Sequence, residues 1–418
     1  MIDIAVPGDK SISHRALMLA TLATGESVVR GILDSDDVRS TARCLNALGN
    51  AIPSFSAEVR VTGRGLRGSA TPKDTLDCGN SGTSTRLLMG IVAGQGVTAT
   101  FDGDASLRGR PMARVSEPLA QMGAAVEYLG ATDRLPLRVI GRELHSIDFV
   151  SPRSSAQVKS AVLLAALTAG VSVSFTEPVL SRDHTERMLN AMGMELRIVV
   201  DHGGMRIELS PIDRLDPLDI LVPGDLSSAA FFLARGLLAD PPVRVANVGV
   251  NATRSGFLDV ARRMHAVIHV EARDERTAEP IATLIAEKSQ LLGTRIEGNE
   301  VPRLIDEIPI IAAMATRAEG VTEITGAGEL RVKESDRLSA MVQNLKAVGA
   351  AAEERQDGLI VTGSNNPLRG HVRSHGDHRI AMAFGVLGSL PGNDIQVDDR
   401  EIVTVSFPDF WRQLEGCK

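Results

Sequence analysis

Basic side chains recur just inside segments that are suited to begin helices. Ser, Asn, Asp and Gly are preferred at helix N-termini for structural reasons, so capping alone would account for each segment taken singly. A cation in the first turns opposes the helix macrodipole, which makes its repetition informative. Such cations stand at Arg15, Arg86, Lys159 and Arg379. We therefore expect external anions that the helix N-terminus and the neighbouring side chain bind together.

Two further segments combine cations or backbone N–H groups with hydroxyls. The stretch DKSISHR places Lys10, Ser11 and Arg15 in one short turn. The loop 79–83 (GNSGT) could present backbone N–H groups to a phosphate or carboxylate, although glycine-rich turns are common. Neither segment is a Walker A sequence, and no GxGxxG follows a strand pattern, so nucleotide binding is not supported.

Two charged segments leave alternatives open. In LRGRPM the cations Arg108 and Arg110 precede a proline-started helix, and a solvated loop explains them as well as an anion site does. In RVKESDR the acids favour an exposed helix start, but Lys333 and Arg337 lie four residues apart. That spacing predicts two cations on one helix face, an arrangement that suits a divalent anion.

Carboxylates and histidines complete the set of candidate groups. Asp306 and Glu307 open an otherwise apolar helix pattern, the only repeated helix start with an obvious carboxylate that could serve as a base. The segment 375–379 (HGDHR) could bind a metal ion, but no second ligand cluster of suitable spacing appears. Asp377 as a helix N-cap and Arg379 as an anion ligand is the better interpretation.

The overall composition argues against several classes of protein. The 418 residues carry a net charge of −7, unlike a general nucleic-acid or membrane-surface binder. Aromatic residues make up only 3%, so stacking platforms for single-stranded nucleic acid are scarce. The three cysteines lack metal-type spacing and predict reduced thiols, and the start MIDIAVPGDK has no signal-peptide pattern. We expect a cytoplasmic protein of two or three domains without a membrane span.

Repeated segments indicate how the chain positions these groups. The phrase VPGD occurs at 6–9 and again at 222–225, each time before a Ser-containing turn and an Ala/Leu-rich helix. Within each half, a polar segment, a nearly apolar helix and a β-type stretch recur about every seventy residues. Helices that are apolar all round are buried on most sides, so we expect six βαβαββ units, three per half, with helices inside strands. The N-terminal strand is expected to pair with the C-terminal half.

As an ordered set these motifs resemble the enolpyruvyl transferases, and within them the 5-enolpyruvylshikimate-3-phosphate synthases. The motifs run the length of the chain: PGDKSISHR, LDCGNSGTSTRLL, SLRGRPM, SSAQVKSAVLLAAL, VLSRDHTERML, DEIPIIAAMA, LRVKESDRLSAM, GDHRIAMAFGV and SFPDFW. The resemblance implies an α/β fold, a two-domain inverted α/β barrel with three βαβαββ units per domain. With the VPGD phrases it predicts domains 1–8 plus 225–418 and 9–224, and an active site in the cleft between them.

The resemblance also implies a reaction and its partners. The enolpyruvyl group of phosphoenolpyruvate would be transferred to the 5-hydroxyl of shikimate 3-phosphate, releasing phosphate, in chorismate and aromatic amino-acid biosynthesis. No metal or organic cofactor, no nucleic acid and no membrane partner is implied, and a monomer is expected. By motif, shikimate 3-phosphate would contact Lys10, Ser11, Arg15, Ser155, Ala156, Gln157, Arg182, Asp306 and Lys333. Phosphoenolpyruvate would contact Lys10, Gly82, Arg110, Gln157, Arg337 and Arg379.

The same resemblance implies the catalytic groups. Asp306 would be the base on the 5-hydroxyl, while Lys333 and Glu334 would exchange protons at the methylene carbon. Lys10 would face phosphoenolpyruvate. Both substrates are anions that repel each other, so the protein must neutralise and align them. Cations from both domains can do so only if the domains close, and we expect closure on binding shikimate 3-phosphate.

The chain departs from some relatives at two positions. Val405 stands where some members have a Lys before the closing Phe-Pro-Asp, and Leu87 stands where some have Pro. Gly82 would leave room for the phosphonate of the inhibitor glyphosate. The alternative family member, UDP-N-acetylglucosamine enolpyruvyl transferase, would require a Cys in the loop around 108–110 and an Asn after the first Lys. Neither is present: Ser11 follows Lys10, and the loop around 108–110 contains no Cys. A more distant alternative, a non-catalytic phosphometabolite-binding protein of the same fold, is disfavoured by the catalytic motifs.

Overall fold

The computed structural model describes residues 1–201, 204–274 and 278–417. The strands are β1 (Ile2–Ile4), β2 (Thr24–Arg30), β3 (Glu58–Arg64), β4 (Leu76–Asp77), β5 (Thr98–Asp102), β6 (Ala125–Tyr128), β7 (Leu137–Ile140), β8 (Ile147–Val150), β9 (Val173–Glu177), β10 (Arg197–Asp201), β11 (Gly204–Leu209), β12 (Asp219–Leu221), β13 (Val243–Gly249), β14 (Val267–Asp274), β15 (Ile281–Glu287), β16 (Arg295–Ile296), β17 (Val321–Ile324), β18 (Ala351–Arg355), β19 (Gly358–Thr362), β20 (Arg369–Val372) and β21 (Asp394–Val397). The α-helices are α1 (Lys10–Leu22), α2 (Asp36–Ala47), α3 (Gly82–Gly94), α4 (Ala105–Arg108), α5 (Ala113–Gln121), α6 (Ala156–Ala169), α7 (His184–Ala191), α8 (Leu226–Leu238), α9 (Gly256–Arg263), α10 (Ile308–Ala315), α11 (Arg337–Ala347), α12 (His378–Gly388) and α13 (Phe410–Glu415).

The contacts within the chain divide it into two units. The N-terminal unit holds Gly8–Val222 together with Ala278 and Glu279. The C-terminal unit holds Met1–Pro7 and the described residues from Pro223 onward, apart from those two. Each unit has its own hydrophobic core. The divisions before Gly8 and after Val222 fall inside the two VPGD phrases, where Gly and Pro interrupt regular structure.

A βαβαββ pattern recurs in both units. In one instance the strands β4, β5, β6 and β7 alternate with α3 and α5 and pair in the order β4-β5-β7-β6. The first two strands are parallel, and the last two form an antiparallel hairpin whose second strand pairs with β5. The sheets β8-β9-β11-β10 and β16-β17-β19-β18 have the same order. The repeat read from the sequence is therefore a repeat of structure.

Three sheets depart from the simple succession of strands. In β1-β13-β15-β14 the first strand comes from the start of the chain, and Ile2 aligns with Val243 in parallel. This confirms the prediction that the N-terminal strand pairs with the C-terminal half. In β12-β2-β3 the last strand of the N-terminal unit pairs in parallel with β2. Within the described ranges this sheet contains the single strand β3 where the other repeats have a hairpin. In the same ranges, no hairpin follows β21 in the β20-β21 sheet, and the helix α13 comes after it.

The first helix of each repeat lies inside its unit. The helices α1, α3 and α6 bury most of their residues, and so do α8, α10 and α12. The close packing of α3 on α6 depends on Gly90, because a Cβ at that position would overlap the carbonyl of Ala161. Helices that are apolar on all sides require such burial, which is why their positions could be predicted.

Aromatic side chains and cysteines are part of the buried interior of the two units. Phe231, Phe232, Phe407 and Phe410 form an aromatic cluster in the C-terminal unit, with centroids 5.5–6.1 Å apart. The sole tryptophan, Trp411, packs against Phe410 in the same unit. Cys44, Cys78 and Cys417 are buried and free. None of the helices in the described ranges is long and apolar enough to cross a bilayer.

Candidate active site

In the N-terminal unit the start of α1 gathers the first group of predicted ligands. Asp9 caps the helix, its Oδ1 accepting from a backbone N–H three residues on at 2.9 Å. The Lys10 ammonium pairs with the Asp37 carboxylate at the start of α2. Arg15 is 3% exposed, and its Nη1 donates to the carbonyl of Ser11 at 3.0 Å. The backbone of this short segment thus orients one predicted cation, and a neighbouring helix orients the other.

The Arg15 guanidinium is surrounded by neutral hydrogen-bond partners. Its Nε donates to Thr185 Oγ1 at 2.8 Å, and its Nη2 donates to Ser160 Oγ at 2.9 Å. Burial, together with the charge of Arg182 and against the attraction of Glu186, lowers the pKa of Arg15 to about 10. Arg15 therefore remains a cation at neutral pH while donating to hydroxyl and carbonyl oxygens.

The start of α3 presents Gly82 beside two guanidinium groups. Ser81 caps this helix, its Oγ accepting from a backbone N–H at 3.1 Å. A Cβ on Gly82 would lie 3.0 Å from Nη1 of Arg86 and 3.6 Å from Nη1 of Arg110. Arg110 is in turn held by Asn80, to whose Oδ1 its Nη2 donates at 2.5 Å. The predicted ligands Gly82 and Arg110 are therefore adjacent, as an anion site at a helix N-terminus requires.

The start of α6 is joined to the start of α3 by a glutamine. Ser155 caps α6, and Ala156 and Gln157 are its first two residues. Gln157 Oε1 accepts from Arg86 Nη1 at 2.5 Å, and its Nε2 donates to Thr83 Oγ1 at 3.0 Å. Arg86 was predicted as a helix-start cation for an external anion, although the family resemblance assigned it no substrate. It contacts the predicted ligand Gln157 and adjoins Gly82.

Lys159 contradicts the anion-site interpretation of its helix start. Its side chain is fully buried, with Nζ 3.0 Å from Glu177 Oε1 and 2.7 Å from Glu186 Oε1. Burial alone would lower the pKa of Lys159, but Glu186 and Glu177 outweigh burial and raise it. Burial also raises the pKa of Glu186 against the opposing effect of Lys159, as expected where one ammonium faces two carboxylates. The prediction was wrong here because carboxylates from later elements neutralise the cation internally.

Arg182 stands in the loop between β9 and α7. The preceding residue, Ser181, donates from its backbone N–H and its hydroxyl to Glu177 Oε1 at 2.8 and 2.9 Å. Arg182 itself is half-buried. Burial is the main cause of the lowered pKa of Arg15, and the positive charge of Arg182 lowers that pKa further. The structure therefore places these two predicted ligands near each other.

A buried chain of hydrogen bonds links the starts of α1 and α3. His14 Nδ1 lies 2.7 Å from Thr41 Oγ1, which lies 2.6 Å from Ser84 Oγ. Ser84 Oγ donates to Ser81 Oγ, the cap of α3, at 2.7 Å. Burial, with Asp37 opposing it, lowers the pKa of His14 from its usual 6.5 to about 3. The imidazole is therefore neutral in the folded protein at ordinary pH.

Because folded His14 has a depressed pKa, its contribution to stability is present above pH 6.5 and is lost as pH falls toward 3. The unfolded chain takes up a proton in this window and the folded chain does not. We expect His14→Asn, which retains a polar group at the Nδ1 position, to reduce the fall in unfolding free energy by up to about 1.4 kcal/mol per pH unit. Urea titrations followed by circular dichroism between pH 7 and 4.5 measure this. His145→Gln, at an exposed histidine of the same unit, is the control, and equal slopes for both variants would contradict the prediction.

In the C-terminal unit Asp306 lies between two arginines. Arg337 Nη1 donates to Asp306 Oδ1 at 3.3 Å. Arg379 Nη1 donates to the backbone carbonyl of Asp306 at 3.3 Å, and its Nε lies 3.8 Å from Oδ1. The predicted base Asp306 is thus held beside Arg337 and Arg379, two of the cations that were predicted to bind phosphoenolpyruvate.

Arg337 is fully enclosed by carboxylates. It is 1% exposed, its Nε donates to Asp377 Oδ2 at 2.7 Å, and its Nη2 donates to Glu334 Oε2 at 2.5 Å. Burial alone would lower the pKa of Arg337, but Asp377, Glu334 and Asp306 raise it. Asp377 also caps α12, its Oδ1 accepting from the Arg379 N–H at 3.0 Å, which confirms the predicted N-cap. An anion that binds Arg337 must compete with these carboxylates.

The predicted two-cation helix face is wrong. Asp336 caps α11, accepting from the Ser339 N–H at 3.1 Å, so the helix begins only at Arg337. Lys333 precedes the helix in an extended conformation, with φ −82° and ψ −150°. It is half-buried and follows a short 3-10 turn. The four-residue spacing was therefore not a helical spacing, although Lys333 remains next to Glu334.

A second buried ion cluster anchors the acid that directly precedes α10. Arg254 Nη1 donates to Glu307 Oε2 at 2.7 Å, and Nη2 lies 3.5 Å from Asp225 Oδ1. Ser227 bonds to both Arg254 and Glu307. Burial alone would lower the pKa of Arg254, but Glu307 and Asp225 raise it. Asp225 is the counterpart of Asp9 in the VPGD repeat, so in this half an internal cation lies at the helix start.

Sequence reasoning missed the partners that orient the predicted ligands. Asp37 pairs with Lys10, and Thr185 and Ser160 hold Arg15. The only local signal was the run of acids at the start of α2, which includes Asp37. Hydroxyls within apolar helix patterns give no sign of which distant guanidinium they meet.

The chain is similar to one protein family and to individual relatives over nearly its whole length. A family model described as EPSP synthase (3-phosphoshikimate 1-carboxyvinyltransferase) matches residues 2–414. A 3-phosphoshikimate 1-carboxyvinyltransferase of Gloeobacter violaceus is 50% identical over 415 residues, covering 99% of this chain and 95% of that protein. The protein of the same name from Geobacter metallireducens is 44% identical over 414 residues, covering 99% of this chain and 96% of that one.

Solved structures agree with the sequence relatives. An EPSP synthase from Acinetobacter baumannii superposes with a TM-score of 0.86 at 38% identity, covering 100% of this chain and 95% of that one. The enolpyruvyl transferase NikO from Streptomyces tendae has a TM-score of 0.77 at 16% identity, covers 100% of this chain and 94% of its own, and shows the fold alone. The predicted fold class is thereby confirmed. Because both the family model and the relatives extend over nearly the whole sequence, the chain belongs to the EPSP synthase family.

Proposed function

We propose that this protein transfers the enolpyruvyl group of phosphoenolpyruvate to the 5-hydroxyl of shikimate 3-phosphate. The hydroxyl oxygen bonds to C2 of phosphoenolpyruvate while C3 gains a proton, giving a tetrahedral intermediate. C3 then loses a proton and the C2–O bond to phosphate breaks, which restores the double bond. Membership of the EPSP synthase family and relatives named 3-phosphoshikimate 1-carboxyvinyltransferase support this proposal.

The observation that carries the proposal is the position of Asp306 beside Arg337 and Arg379. A carboxylate next to two guanidiniums can accept the proton of the 5-hydroxyl while the cations hold the anionic partner at the same place. Lys333 and Glu334 are proposed to exchange the proton at C3, and Lys10 to stabilise charge on phosphoenolpyruvate. The Arg337–Glu334 hydrogen bond supports a role for Glu334 in the same site.

The substrate contacts are proposed from the motifs that this chain shares with the family. Shikimate 3-phosphate is assigned to the side chains and backbone at Lys10, Ser11, Arg15, Ser155, Ala156, Gln157, Arg182, Asp306 and Lys333. Phosphoenolpyruvate is assigned to Lys10, Gly82, Arg110, Gln157, Arg337 and Arg379. In the N-terminal unit the contacts of Gln157 and of Gly82 with Arg86 support these assignments.

We propose that one site takes residues from both units and forms fully when substrate binds. Each substrate is assigned ligands from both parts of the chain, so both sets must reach it together. Small-angle scattering should show a smaller radius of gyration with saturating shikimate 3-phosphate and glyphosate than without ligand. Inorganic phosphate at the same concentration is the control. Equal radii in all three samples would contradict closure.

The proposed reaction places the protein in chorismate and aromatic amino-acid biosynthesis. Cytoplasmic localisation and a monomeric state are part of the proposal, as is a reaction without a metal or organic cofactor. The net charge of −7 supports small-molecule partners over nucleic acid.

One assay tests the activity. Phosphate release from phosphoenolpyruvate is measured with shikimate 3-phosphate, with UDP-N-acetylglucosamine, and with neither. Release that depends on shikimate 3-phosphate alone is expected. Release with UDP-N-acetylglucosamine, or none with either acceptor, would overturn the proposed function.

Gly82 is proposed to determine the response to glyphosate. A Cβ there would sit 3.0 Å from Arg86 Nη1, so a methyl group narrows the space in which an anion meets Arg86 and Arg110. We expect Gly82→Ala to raise the glyphosate inhibition constant about 10- to 100-fold, and the KM for phosphoenolpyruvate by much less. Gly130→Ala, whose Cβ would make an ordinary 3.7 Å contact with Pro136, is the control. Equal losses for inhibitor and substrate would refute this role.

A further inference from the structure

Two buried cations and two buried carboxylates lie around α6. Lys159 lies on α6, Glu177 ends β9, and Glu186 and Arg15 come from α7 and α1. All four side chains are nearly or fully buried, so none is appreciably screened by solvent. The two cations differ in their partners, because Lys159 contacts both carboxylates and Arg15 donates to neutral oxygens. This difference suggests a role for Lys159.

Lys159 engages both carboxylates, whereas Arg15 engages neither directly. Lys159 Nζ is within 3.0 Å of Glu177 and 2.7 Å of Glu186. The second contact is a short ion pair between the Lys159 ammonium and the Glu186 carboxylate. Arg15 instead donates to Thr185, Ser160 and the Ser11 carbonyl. Glu186 is still near enough to act on the Arg15 charge through space.

The same lysine and glutamate connect the two segments that carry other predicted ligands. Glu177 Oε2 accepts from the Ser155 N–H at 3.2 Å, and its Oε1 accepts from the Ser181 N–H at 2.8 Å. Lys159 donates to the Ser181 carbonyl at 3.1 Å. One segment caps α6 and precedes Gln157, and the other precedes Arg182. Lys159 and Glu177 therefore hold the Ser155 segment and the Ser181–Arg182 segment at a fixed distance from each other.

We propose that Lys159 is a positioning residue for shikimate 3-phosphate. By holding Glu177 and Glu186 it fixes the Ser155 and Arg182 segments and leaves the charge of Arg15 uncommitted for an anionic group of the substrate. Lys159 is buried behind the ligands and contacts no substrate itself. The inference rests on the proposed function, because it assumes that these segments bind shikimate 3-phosphate.

Loss of the ammonium should act on one substrate more than on the other. In Lys159→Met, Glu186 loses its ion pair with Lys159 and still acts on the charge of Arg15, so we expect Arg15 to become committed to that carboxylate. We expect the Kd of shikimate 3-phosphate, measured by calorimetry without phosphoenolpyruvate, to rise about tenfold or more, since each 1.4 kcal/mol is tenfold. The KM for phosphoenolpyruvate should change by less than about threefold. Lys159→Arg, which retains the charge, should stay near wild type, and Lys73→Met at an exposed lysine is the control.

A second variant keeps the test decisive if Lys159→Met does not fold. Glu186→Gln removes a carboxylate from the surroundings of Arg15 while Lys159 retains Glu177, so shikimate 3-phosphate should bind as tightly as to wild type or more tightly. A purely structural role predicts weaker binding from the same change. Weaker binding to Glu186→Gln, or equal losses for both substrates in Lys159→Met, would overturn the inference. Absence of shikimate-3-phosphate-dependent phosphate release in wild type would instead overturn the proposed function.

Discussion

Replacing Asp306 with Asn should lower kcat about 10²- to 10⁴-fold, the usual contribution of a positioned general base. The amide has nearly the same shape and its oxygen can still accept from Arg337 Nη1, but it cannot take the proton of the 5-hydroxyl. Because the amide oxygen can still accept a hydrogen bond from the 5-hydroxyl, the Kd of shikimate 3-phosphate should change by less than about threefold. Steady-state phosphate release and calorimetry measure the two quantities.

The control for Asp306→Asn is an acid of the same unit outside the candidate site. Asp409→Asn removes a carboxylate whose side chain is 57% exposed and pairs with Arg412 at 2.9 Å. It should leave kcat within about twofold, because surface pairs contribute little. A kcat for Asp306→Asn within tenfold of wild type, or a loss confined to substrate binding, would remove Asp306 from the role of base.

Replacing Arg254 with Met should lower the unfolding free energy of the C-terminal unit by about 3–5 kcal/mol. The change removes the cation from Glu307 and Asp225 and leaves two carboxylates in a site that is nearly closed to water. The sole tryptophan, Trp411, lies in the same unit, so its fluorescence in a urea titration follows this unfolding.

Two further variants separate charge burial from general damage. Arg262→Met removes a guanidinium that is 75% exposed and pairs with Asp259 at 3.2 Å, and should cost less than about 0.5 kcal/mol. Arg254→Met combined with Glu307→Gln should be more stable than Arg254→Met alone, because one unpaired buried charge is gone. A midpoint for Arg254→Met equal to that of Arg262→Met would show that the cluster contributes no net stability.

Helix starts could be predicted from sequence because their signals are local. Asp9, Ser81, Ser155 and Asp377 all accept hydrogen bonds from backbone N–H groups two or three residues ahead. The apolar helices behind them could be predicted because their composition requires burial on every side. Capping residues and apolar composition therefore predicted that most of the candidate ligands lie at the N-terminal starts of buried helices.

The pairing of those ligands with distant charges could not be predicted in the same way. Lys159 resembled Arg86 and Arg379 in its sequence context, yet Glu177 and Glu186 neutralise it. The spacing predicted that Lys333 shares a helix face with Arg337 because Asp336 was not recognised as the N-cap, which makes Arg337 the first residue of the helix. A cation's role depends on which carboxylates the tertiary structure brings to it, and spacing along the chain does not contain that information.

The pairing of β1 with β13 has a consequence for the order in which the protein folds during synthesis. The Asp3–Arg244 ion pair across these strands joins residues 241 positions apart. The N-terminal unit acquires its last strand, β12, when Leu221 has been added, and domains generally fold as they emerge. Strand β1 therefore lacks its partner while the N-terminal unit folds after it, and it joins its sheet only when β13 has left the ribosome.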